Sequence, residues 1–413
     1  MSPYTRLSQG IARVSVVAAC AFLLTPALFA SQTDVENTSE TPVVELEAGI
    51  STLAREELEE TGLSSLQIAI ARDGVVVFSD AYGKADVELN VEATPETRYR
   101  IASISKWLTA TAALQLADSN VLDLDAPIQT YCPEYPEKRW PVSARHLLGH
   151  TSGIRHYRNY KEEYDAAESD EERQAIEFLY LKDRHSFVKR YTDVVEPLAV
   201  FSDEPLLFEP GTQYLYTSFG YRVLGCVLKG AAGQPYKTIL REQIFSGIGM
   251  DDTVEDDARS IIPNRASGYD LQADGTLRRT TARDVSENLP AGGHLSTAED
   301  LVLFAQAYGR GDLVSATKQA EMLKDPVDKN GKRLNEGYGL GVMTYAFGED
   351  QLIGHDGTQA GSTTIVFHAA TTNISIAIMT NTRGWGWPRM QEFARKAYEV
   401  AKRGTGPLLA TKE

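Results

Sequence analysis

Hydrophobic and polar positions change their period along the first part of the chain. From Glu45 to Thr61, apolar side chains recur at helical spacing among charged residues, and Gly62 follows where a helix would end. The next apolar runs, at 66–71 and 75–78, are joined by Arg-Asp-Gly, and Asp-Gly is a strong signal for a β-hairpin. This part of the chain is therefore predicted to form a surface helix followed by a hairpin.

The carboxyl-terminal part combines the same two patterns in the opposite order. Two β-rich runs, Thr363 to His368 and Asn373 to Met379, precede a helical pattern of apolar residues between Met390 and Val400. Between Leu108 and about Asp325 the chain is mainly helical and loop-like. We expect an α/β (α+β) fold in which both ends form one antiparallel sheet flanked by helices, with an inserted, mainly helical lobe and a cleft between the lobes.

The same patterns predict the boundaries of these parts. An α/β lobe is expected from 45–105 together with 335–403, a helical lobe from about 106–334, and a tail over 404–413. Inside the helical lobe, the stretch 159–204 is rich in charges, which favours a solvated helical face over a substrate lid or a partner surface.

The amino terminus has the pattern of an export signal. Arg6 and Arg13 are followed by an apolar run over 14–30, and no acidic residue occurs in this region. We therefore interpret residues 1–30 as a signal peptide and the polar stretch 31–44 as a flexible leader, which predicts a secreted or periplasmic protein. The alternative is a membrane anchor, because the run is nearly long enough to span a bilayer.

Charge and cysteine content narrow the range of partners. The formal net charge is −16, and −18 without the two arginines of the signal, so nucleic acid is not an expected partner. No second long apolar stretch occurs, so no stable membrane insertion is expected after signal removal. Cys132 and Cys226 are too few for a disulfide framework. They could form a single bridge, but we expect buried thiols.

The first candidate for chemistry is Ser103, followed three residues later by Lys106 at the start of an apolar helix. This spacing puts a hydroxyl and an amine on one helical face, where a desolvated lysine can act as the base that activates a serine nucleophile. Ser186 and Ser315 match the same Ser-x-x-Lys pattern. Ser186 lies in the charge-rich stretch and Ser315 falls late in the chain, so Ser103 is preferred. Its alternative role is that of a helix N-cap.

The second candidate is Tyr216 in Tyr-Thr-Ser, with Ser218 available to orient it. A phenol has an ordinary pKa of about 10, but a neighbouring ammonium group favours its ionised form, so a tyrosine beside Lys106 could shuttle protons. The alternatives are a structural tyrosine in a turn and the rival Tyr157, which begins a Tyr-Arg-Asn sequence.

The third candidate is the sequence His355, Asp356, Gly357 and Thr358, which leads into a predicted strand. Glycine lets a backbone approach a substrate closely, and the backbone N–H groups of Ser103 and Thr358 could supply an oxyanion hole. The histidine would be mostly neutral at pH 7 and could donate a hydrogen bond to the catalytic tyrosine or to substrate. Asp356 and Gly357 are the expected substrate contacts.

These elements together resemble the serine β-lactamase-related family of class C β-lactamases, DD-peptidases and esterases. The resemblance rests on Ser-x-x-Lys at 103–106, Tyr-x-Ser at 216–218 and His-x-Gly at 355–357, in that order, and it extends to 150–157 and 291–293. The segments around the first two motifs look most like the branch that contains the mitochondrial β-lactamase-like serine protein of animals and its bacterial relatives. The resemblance implies an acyl-enzyme on Ser103 and no metal or organic cofactor.

One departure from the family pattern bears on the substrate. A histidine stands where β-lactamases carry lysine, and Asp356 stands where they carry a hydroxyl residue, so an anionic substrate end would lose its anchor. We therefore expect a secreted serine hydrolase of peptide, amide or ester bonds, acting on a small-molecule or peptide substrate. The alternatives are a β-lactamase or DD-carboxypeptidase, and a non-catalytic filament-forming scaffold, since homo-oligomers fit the resemblance.

Two other enzyme classes are disfavoured by absent motifs. The chain contains no Gly-x-Ser-x-Gly elbow of the α/β-hydrolases. It also lacks His-Glu-x-x-His and any His/Cys cluster with the spacing of metal ligands. No metal is therefore expected.

Overall fold

The central sheet of the molecule is assembled from both ends of the chain. The computed structural model describes residues 41–281 and 283–404, with side chains from Glu45 onward. The helices are α1 Thr41–Thr61, α2 Ile104–Asp118, α3 Ala144–Leu148, α4 Tyr160–Ala166, α5 Asp170–Ser186, α6 Ser218–Ala232, α7 Tyr236–Leu240, α8 Ser246–Ile248, α9 Leu289–Gly292, α10 Ala298–Arg310, α11 Ala316–Met322 and α12 Trp387–Arg403. The strands are β1 Ser65–Arg72, β2 Val75–Asp86, β3 Val91–Glu92, β4 Tyr99–Arg100, β5 Val254–Glu255, β6 Tyr269–Leu271, β7 Leu277–Arg279, β8 His294–Ser296, β9 Met343–Phe347, β10 Asp350–Gln359, β11 Ser362–Ala369, β12 Ile374–Thr380 and β13 Thr382–Arg383.

Seven strands form the main sheet in the order β3-β2-β1-β12-β11-β10-β9. Every neighbouring pair in it is antiparallel, and β1 joins the two ends of the chain by pairing with β12, with Gln67 opposite Met379. Two three-stranded sheets, β13-β6-β7 and β4-β8-β5, lie outside it. The expected α/β (α+β) fold, with an antiparallel sheet flanked by helices and an inserted mainly helical lobe, is confirmed.

The main sheet is buried on both faces, which explains why its inner strands are apolar throughout. In β1 the larger Ile68 and Ile70 pack into the core that includes α1 and α12, while Ala69 and Ala71 face the core of the helical lobe. The same alternation continues in β11 and β12, where the side chains are buried along the whole strand. The small side chains of Ala69 and Ala71 leave room for helix α10, which lies against β1 and β12.

Local signals at both ends of the chain predict these elements well. Asp73 and Gly74 both have positive φ, at 51° and 83°, as a two-residue hairpin turn requires. The first helix ends before Gly62, which is also left-handed, but it begins at Thr41, inside the stretch interpreted as a leader. The exact partition into lobes stays a prediction. The signal peptide, most of the leader and all but the first residue of the tail lie outside the described residues.

The two cysteines form a disulfide, so the expectation of buried thiols is wrong. Cys132 and Cys226 have Cα atoms 5.5 Å apart, and 94 positions separate them in sequence. The bridge ties α6 to the connection that follows α2. Spacing along the chain could not reveal this contact, because it arises from packing within the helical lobe.

The first part of the charge-rich stretch forms α4 and α5, and most side chains of these two helices are exposed, as expected for a solvated helical face. A buried ion pair helps to hold the stretch to the lobe: Asp183 accepts hydrogen bonds from Arg155, which also pairs with Glu204. None of the helices in the described ranges is long and apolar enough to cross a membrane.

Candidate active site

Ser103 lies at the junction between a short strand and α2. Ala102, directly before it, has a φ of 47°, a left-handed conformation that an alanine adopts only under constraint. Ser103 occupies the N-cap position of α2, but its side chain caps no backbone N–H. Its hydroxyl lies instead 2.9 Å from Nζ of Lys106, one helical turn away. The N-cap alternative therefore does not describe what this side chain does.

Lys106 is fully buried, and its surroundings favour the neutral amine. Burial lowers its pKa to about 7, with the charge of Asp356 opposing the change and that of Arg222 adding to it. The Nζ atom also donates a hydrogen bond to the carbonyl oxygen of Ala291, at 2.8 Å. A neutral amine that donates to Ala291 still has a lone pair for the hydroxyl hydrogen of Ser103, so the pair is arranged for proton transfer from serine to lysine.

Tyr216 lies next to this pair, on the loop that leads into α6. Its ring centre is 4.9 Å from Nζ of Lys106, and its hydroxyl interacts with Ser103. Burial raises the pKa of Tyr216 well above 10, the hydrogen bond with Ser103 lowers it, and the charge of Asp356 raises it further. Tyr216 is therefore a neutral phenol at neutral pH. The expectation that a nearby ammonium would favour phenolate is wrong because burial dominates.

The loop that carries Tyr216 is held by its neighbour Thr217. The hydroxyl of Thr217 caps α6 by accepting from two backbone N–H groups, and it donates to the carbonyl oxygen of Arg155 at 2.6 Å. The backbone N–H of Thr217 donates to Nδ1 of His150, at 3.1 Å. The ring of His150 lies 4.3 Å from that of Tyr216 between centroids, so one side chain fixes both the backbone and the ring of the tyrosine.

The structure does not support the predicted role of Ser218 in orienting Tyr216. Ser218 is the first residue of α6, and its backbone N–H donates to Nδ1 of His156 at 3.1 Å. Among the described residues, no hydrogen bond joins its hydroxyl to Lys106 or Tyr216. Thr217 and His150 do the orienting that the sequence assigned to Ser218. For His150, the only available signal was its presence in the segment of family resemblance.

His355 is buried on β10 and contacts a different tyrosine from the one expected. Its Nδ1 lies 2.5 Å from the carbonyl oxygen of Asp356 and its Nε2 lies 3.2 Å from the hydroxyl of Tyr338. A carbonyl oxygen can only accept, so Nδ1 carries the hydrogen and Nε2 of the neutral ring accepts from Tyr338. Burial and the charge of Lys106 lower the pKa of His355 to about 3, which keeps the ring neutral.

These hydrogen bonds belong to a longer buried chain, in which each group accepts from one neighbour and donates to the next. Because Nδ1 of His150 accepts from Thr217, its Nε2 carries the hydrogen and donates to the hydroxyl of Tyr338, at 3.0 Å. Tyr338 in turn donates to His355. The chain connects the loop of Tyr216 with β10, so the two walls of the site are positioned relative to each other by fully paired polar groups.

The remaining residues of the third motif follow His355 along β10 and alternate between the two faces of the sheet. Asp356 pairs with Ile365 on the face of the core that includes α12, whereas Gly357 lies on the face of Ser103. The carboxyl group of Asp356 lies 3.5 Å from the hydroxyl of Tyr345, and burial raises its pKa to about 6 against the opposing charge of Lys106. Gly357 lies against the backbone on the nucleophile's side, where an added Cβ would stand 2.8 Å from the amide nitrogen of Ser103. The side chain of Thr358, the next residue, is exposed. The structure thus brings Ser103, Lys106 and Tyr216 together beside Gly357, whereas the carboxyl group of Asp356 acts on Lys106 only through its charge.

The two rival Ser-x-x-Lys matches have structural roles. Ser186 lies at the end of α5 and donates to the carbonyl oxygen of Asp183. Ser315 caps α11 and donates to the carboxyl group of Asp118.

The rival tyrosine also has a different environment. The hydroxyl of Tyr157 accepts from Arg222 at 3.2 Å, and its ring packs against Phe219 and Phe187. It belongs to the core of the helical lobe rather than to the Ser103–Lys106 pair.

One cluster of potential metal ligands occurs in the described part of the chain, and it does not reach the site. It consists of Cys132, Glu134 and Cys226. Its two sulfur atoms form the disulfide, which leaves no thiolate to bind a metal.

Comparisons with known proteins identify relatives of this chain. A family model described as Beta-lactamase matches residues 50–400. The chain is 34% identical over 313 residues to the serine beta-lactamase-like protein LACTB, mitochondrial, of Bos taurus. This match covers 63% of this chain and 56% of that protein. It is 26% identical over 325 residues to a D-aminopeptidase of Gluconobacter oxydans (strain 621H), covering 76% of this chain and 55% of the relative.

A solved structure extends the agreement to the fold. The octameric penicillin-binding protein homologue from Pyrococcus abyssi superposes with a TM-score of 0.66 at 24% identity, covering 86% of this chain and 77% of that one. The matches to the curated relatives named above span little more than half of those proteins' own length.

Proposed function

This chain belongs to the beta-lactamase family, and on that basis we propose that it is a serine hydrolase that cleaves peptide, amide or ester bonds through an acyl-enzyme on Ser103. The observation that carries the proposal is the contact of 2.9 Å between Ser103 Oγ and Nζ of a buried lysine whose pKa is lowered to about 7. A base with a pKa near the working pH combines a large unprotonated fraction with useful basicity.

The acylation step uses groups already in contact. Oγ of Ser103 attacks the acyl carbon while its proton passes to the amine of Lys106, which becomes an ammonium group. The carbonyl π electrons move to the carbonyl oxygen, whose charge the N–H groups of Ser103 and Thr358 stabilise. The oxyanion electrons then re-form the carbonyl and the bond to the leaving group breaks. The leaving group takes the phenolic proton of Tyr216, and the ammonium group of Lys106 returns a proton to that oxygen, so both residues regain their starting states. Water releases the acyl group by the reverse sequence of proton transfers.

The substrate class follows from the charge beside the nucleophile. By the family resemblance, Asp356 stands where β-lactamases carry a hydroxyl residue, and its negative charge acts on Lys106. A neutral ester or amide, or a substrate with a nearby ammonium group, is therefore favoured over an anionic substrate end. The D-aminopeptidase relative supports an amide or peptide bond next to a free amine. We propose this class ahead of β-lactams and cell-wall peptides that end in a carboxylate.

We also propose that the protein is exported. The export pattern of residues 1–30 motivates this, and the Cys132–Cys226 disulfide supports it, because such bonds persist in oxidising compartments. Fractionation of cells that produce the full chain tests the proposal. Recovery of unprocessed protein from the reducing cytosol would contradict it.

Labelling with a fluorophosphonate probe, read by intact-protein mass spectrometry, tests the nucleophile. We expect one adduct on the wild type and none on Ser103→Ala, and Lys106→Ala should react at least about 100-fold more slowly because the serine loses its base. The matched control is Ser315→Ala, which removes a serine from a rival motif and should label like the wild type. Equal labelling of Ser103→Ala would remove this residue as nucleophile.

A substrate panel then tests the class. It consists of nitrophenyl esters, D- and L-aminoacyl anilides and a chromogenic cephalosporin, with fluorescent penicillin as a covalent reporter. Turnover of the esters or anilides supports the proposal, whereas preferential turnover of the cephalosporin would favour the β-lactamase alternative. A wild type that neither labels nor turns over any substrate would favour the scaffold alternative. The octameric relative makes light scattering of the same sample informative about self-association.

A further inference from the structure

A cavity of about 590 Å³ opens at the far end of the strand that passes the nucleophile. Its wall includes Arg100, three positions before Ser103, and Ala360, two positions beyond Thr358. The carbonyl oxygen of Ala360 accepts a hydrogen bond from Arg100, at 3.3 Å. Because a strand advances about 3.3 Å per residue, the cavity begins roughly 10 Å from the point where Gly357 touches the nucleophile. The cavity therefore lies beyond the carboxyl-terminal end of β10, in the direction in which this strand passes the nucleophile.

The wall of this cavity is strongly basic. Five arginines line it, and the only acidic lining residue found there among the described residues is Asp284. We call this cavity the arginine pocket and define it by Arg100, Arg259, Arg265, Arg279 and Arg283. Such a concentration of one charge is unusual in a chain whose formal net charge is −16.

The carboxylates near the pocket do not neutralise it. Asp256 is shared by two guanidinium groups, those of Arg100 at 2.7 Å and Arg265 at 3.3 Å. Glu287 is likewise shared, since it pairs with Arg283 at 2.9 Å and with Arg222 at 3.4 Å.

The two remaining arginines of the pocket, Arg279 and Arg259, share no carboxylate with another arginine. Arg279 pairs with Glu88 at the surface. Arg259 has no ion-pair partner among the residues that the structure describes. With Asp284 included, these six guanidinium groups meet four carboxylates as ion-pair partners or lining residues, and Asp86, which accepts from the lining residue Ser267, is a fifth.

Two buried donors in the wall also lack an acceptor. The Nε atoms of Arg265 and Arg283 are both buried and have no hydrogen-bond partner. These two atoms have no surface for a ligand, but the side chains of Arg265 and Arg283 are 27% and 25% exposed, so their other N–H groups can donate into the pocket. Guanidinium groups bind planar oxyanions especially well because they donate through two parallel N–H groups.

We propose that the arginine pocket binds a carboxylate or phosphate group of the substrate that is cleaved at Ser103. This inference rests on the proposed function and adds a feature of the substrate to it. The substrate would carry an anionic group about three residues' length from the scissile bond, beyond the carboxyl-terminal end of β10. The negative charge of Asp356, which acts on Lys106, disfavours an anion near the nucleophile, while the arginine pocket attracts one further along β10. The substrate would thus be recognised by the separation between its neutral reacting centre and its anionic group.

Matched fluorogenic peptides test the proposal, each with an anilide reporter and differing only in glutamate, glutamine or phosphoserine at one position. For wild type, we expect kcat/KM to be about tenfold higher for the glutamate peptide than for its glutamine counterpart at the position that reaches the pocket. Raising the ionic strength to 0.5 M should narrow this ratio. Comparison of the glutamate and phosphoserine peptides distinguishes a carboxylate from a phosphate ligand.

Two variants assign the preference to the pocket. Arg259→Gln removes a guanidinium without leaving a carboxylate unpaired, and it should reduce the glutamate-to-glutamine ratio by at least about threefold. Arg395→Gln, on the surface of α12 where Arg395 pairs with Glu392, should keep the wild-type ratio. Equal kcat/KM values for glutamate and glutamine at every position, or an unchanged ratio in Arg259→Gln, would overturn the proposal.

Calorimetry separates failure of the pocket from failure of the proposed function. Ser103→Ala cannot form an acyl-enzyme but keeps the pocket, so it can be titrated with N-acetylglutamate, N-acetylglutamine and inorganic phosphate. Binding of an anionic probe but not of N-acetylglutamine, weakened in Ser103→Ala/Arg259→Gln, supports the pocket even if no peptide is cleaved. Absence of binding by both anions overturns it even if Ser103 reacts with fluorophosphonate.

Discussion

A single methyl group added at Gly357 should disrupt the relation between the nucleophile and the strand beside it. A Cβ at this position would lie 2.5 Å from the carbonyl oxygen of Ile101, 2.8 Å from the amide nitrogen of Ser103 and 2.9 Å from Cβ of Ala102. Ordinary contact begins near 3.4 Å, so the two segments must separate by about 0.9 Å. Gly357 has no left-handed φ, so the whole effect of Gly357→Ala comes from this contact.

The size of the expected effect follows from that displacement. Donors to an oxyanion work over a range of about 2.7–3.1 Å, and loss of one donor lowers kcat by roughly 10²–10³. A misplacement of about 1 Å in a catalytic arrangement lowers the rate by about 10². We therefore expect kcat/KM of Gly357→Ala to fall about 100-fold. Overpacking of this kind reduces the free energy of unfolding by about 1–3 kcal/mol, which leaves a folded protein.

Three measurements on purified variants check this reasoning. Hydrolysis of a nitrophenyl ester gives kcat/KM, fluorophosphonate labelling gives the acylation rate, and urea unfolding gives stability. Gly247→Ala is the matched control, because Gly247 has no left-handed φ and an added Cβ there meets no atom within 4 Å. A folded Gly357→Ala variant with the labelling rate of the wild type would refute the proposed oxyanion geometry.

Three further predictions concern proton transfer, the buried hydrogen-bond chain and the disulfide. Lys106 must be neutral to act as a base and has a pKa of about 7, so kcat/KM should fall as the pH drops below 7. Asp356→Asn removes a negative charge that raises this pKa, so the acidic limb of its pH–rate profile should lie at lower pH than that of the wild type. Tyr338→Phe leaves two buried imidazole nitrogens without their shared partner, so urea unfolding should show a loss of about 1–3 kcal/mol, together with a lower kcat. Replacing Cys132 and Cys226 together by alanine opens a loop of 94 residues, and urea unfolding should show a loss of roughly 4–5 kcal/mol.

Each of these has a result that would contradict it. An acidic limb that moves to higher pH in Asp356→Asn would mean that the group titrating is not the lysine. Unchanged stability and kcat in Tyr338→Phe would show that the hydrogen-bond chain does not position the site. Wild-type stability of the double alanine variant, under non-reducing conditions, would show that the two sulfur atoms are not bonded.

Much of the fold could be predicted from local patterns, because helical and strand periods, turn residues and caps act over a few residues. The hairpin at Asp73 and Gly74 is an example, since both residues take the positive φ that the turn requires. The order of the three motifs also pointed to Ser103, Lys106 and Tyr216, which the structure brings to one site.

The sequence alone therefore specified the candidate catalytic residues and their order along the chain. Tertiary structure decided their states and partners: Tyr216 is neutral, His355 bonds to Tyr338 instead, Thr217 replaces Ser218 as the orienting residue, and the cysteines are bridged. The physical reason is that a pKa, a hydrogen-bond partner or a disulfide depends on burial and on groups brought together by packing. These interactions join residues tens to hundreds of positions apart, where no local pattern records them.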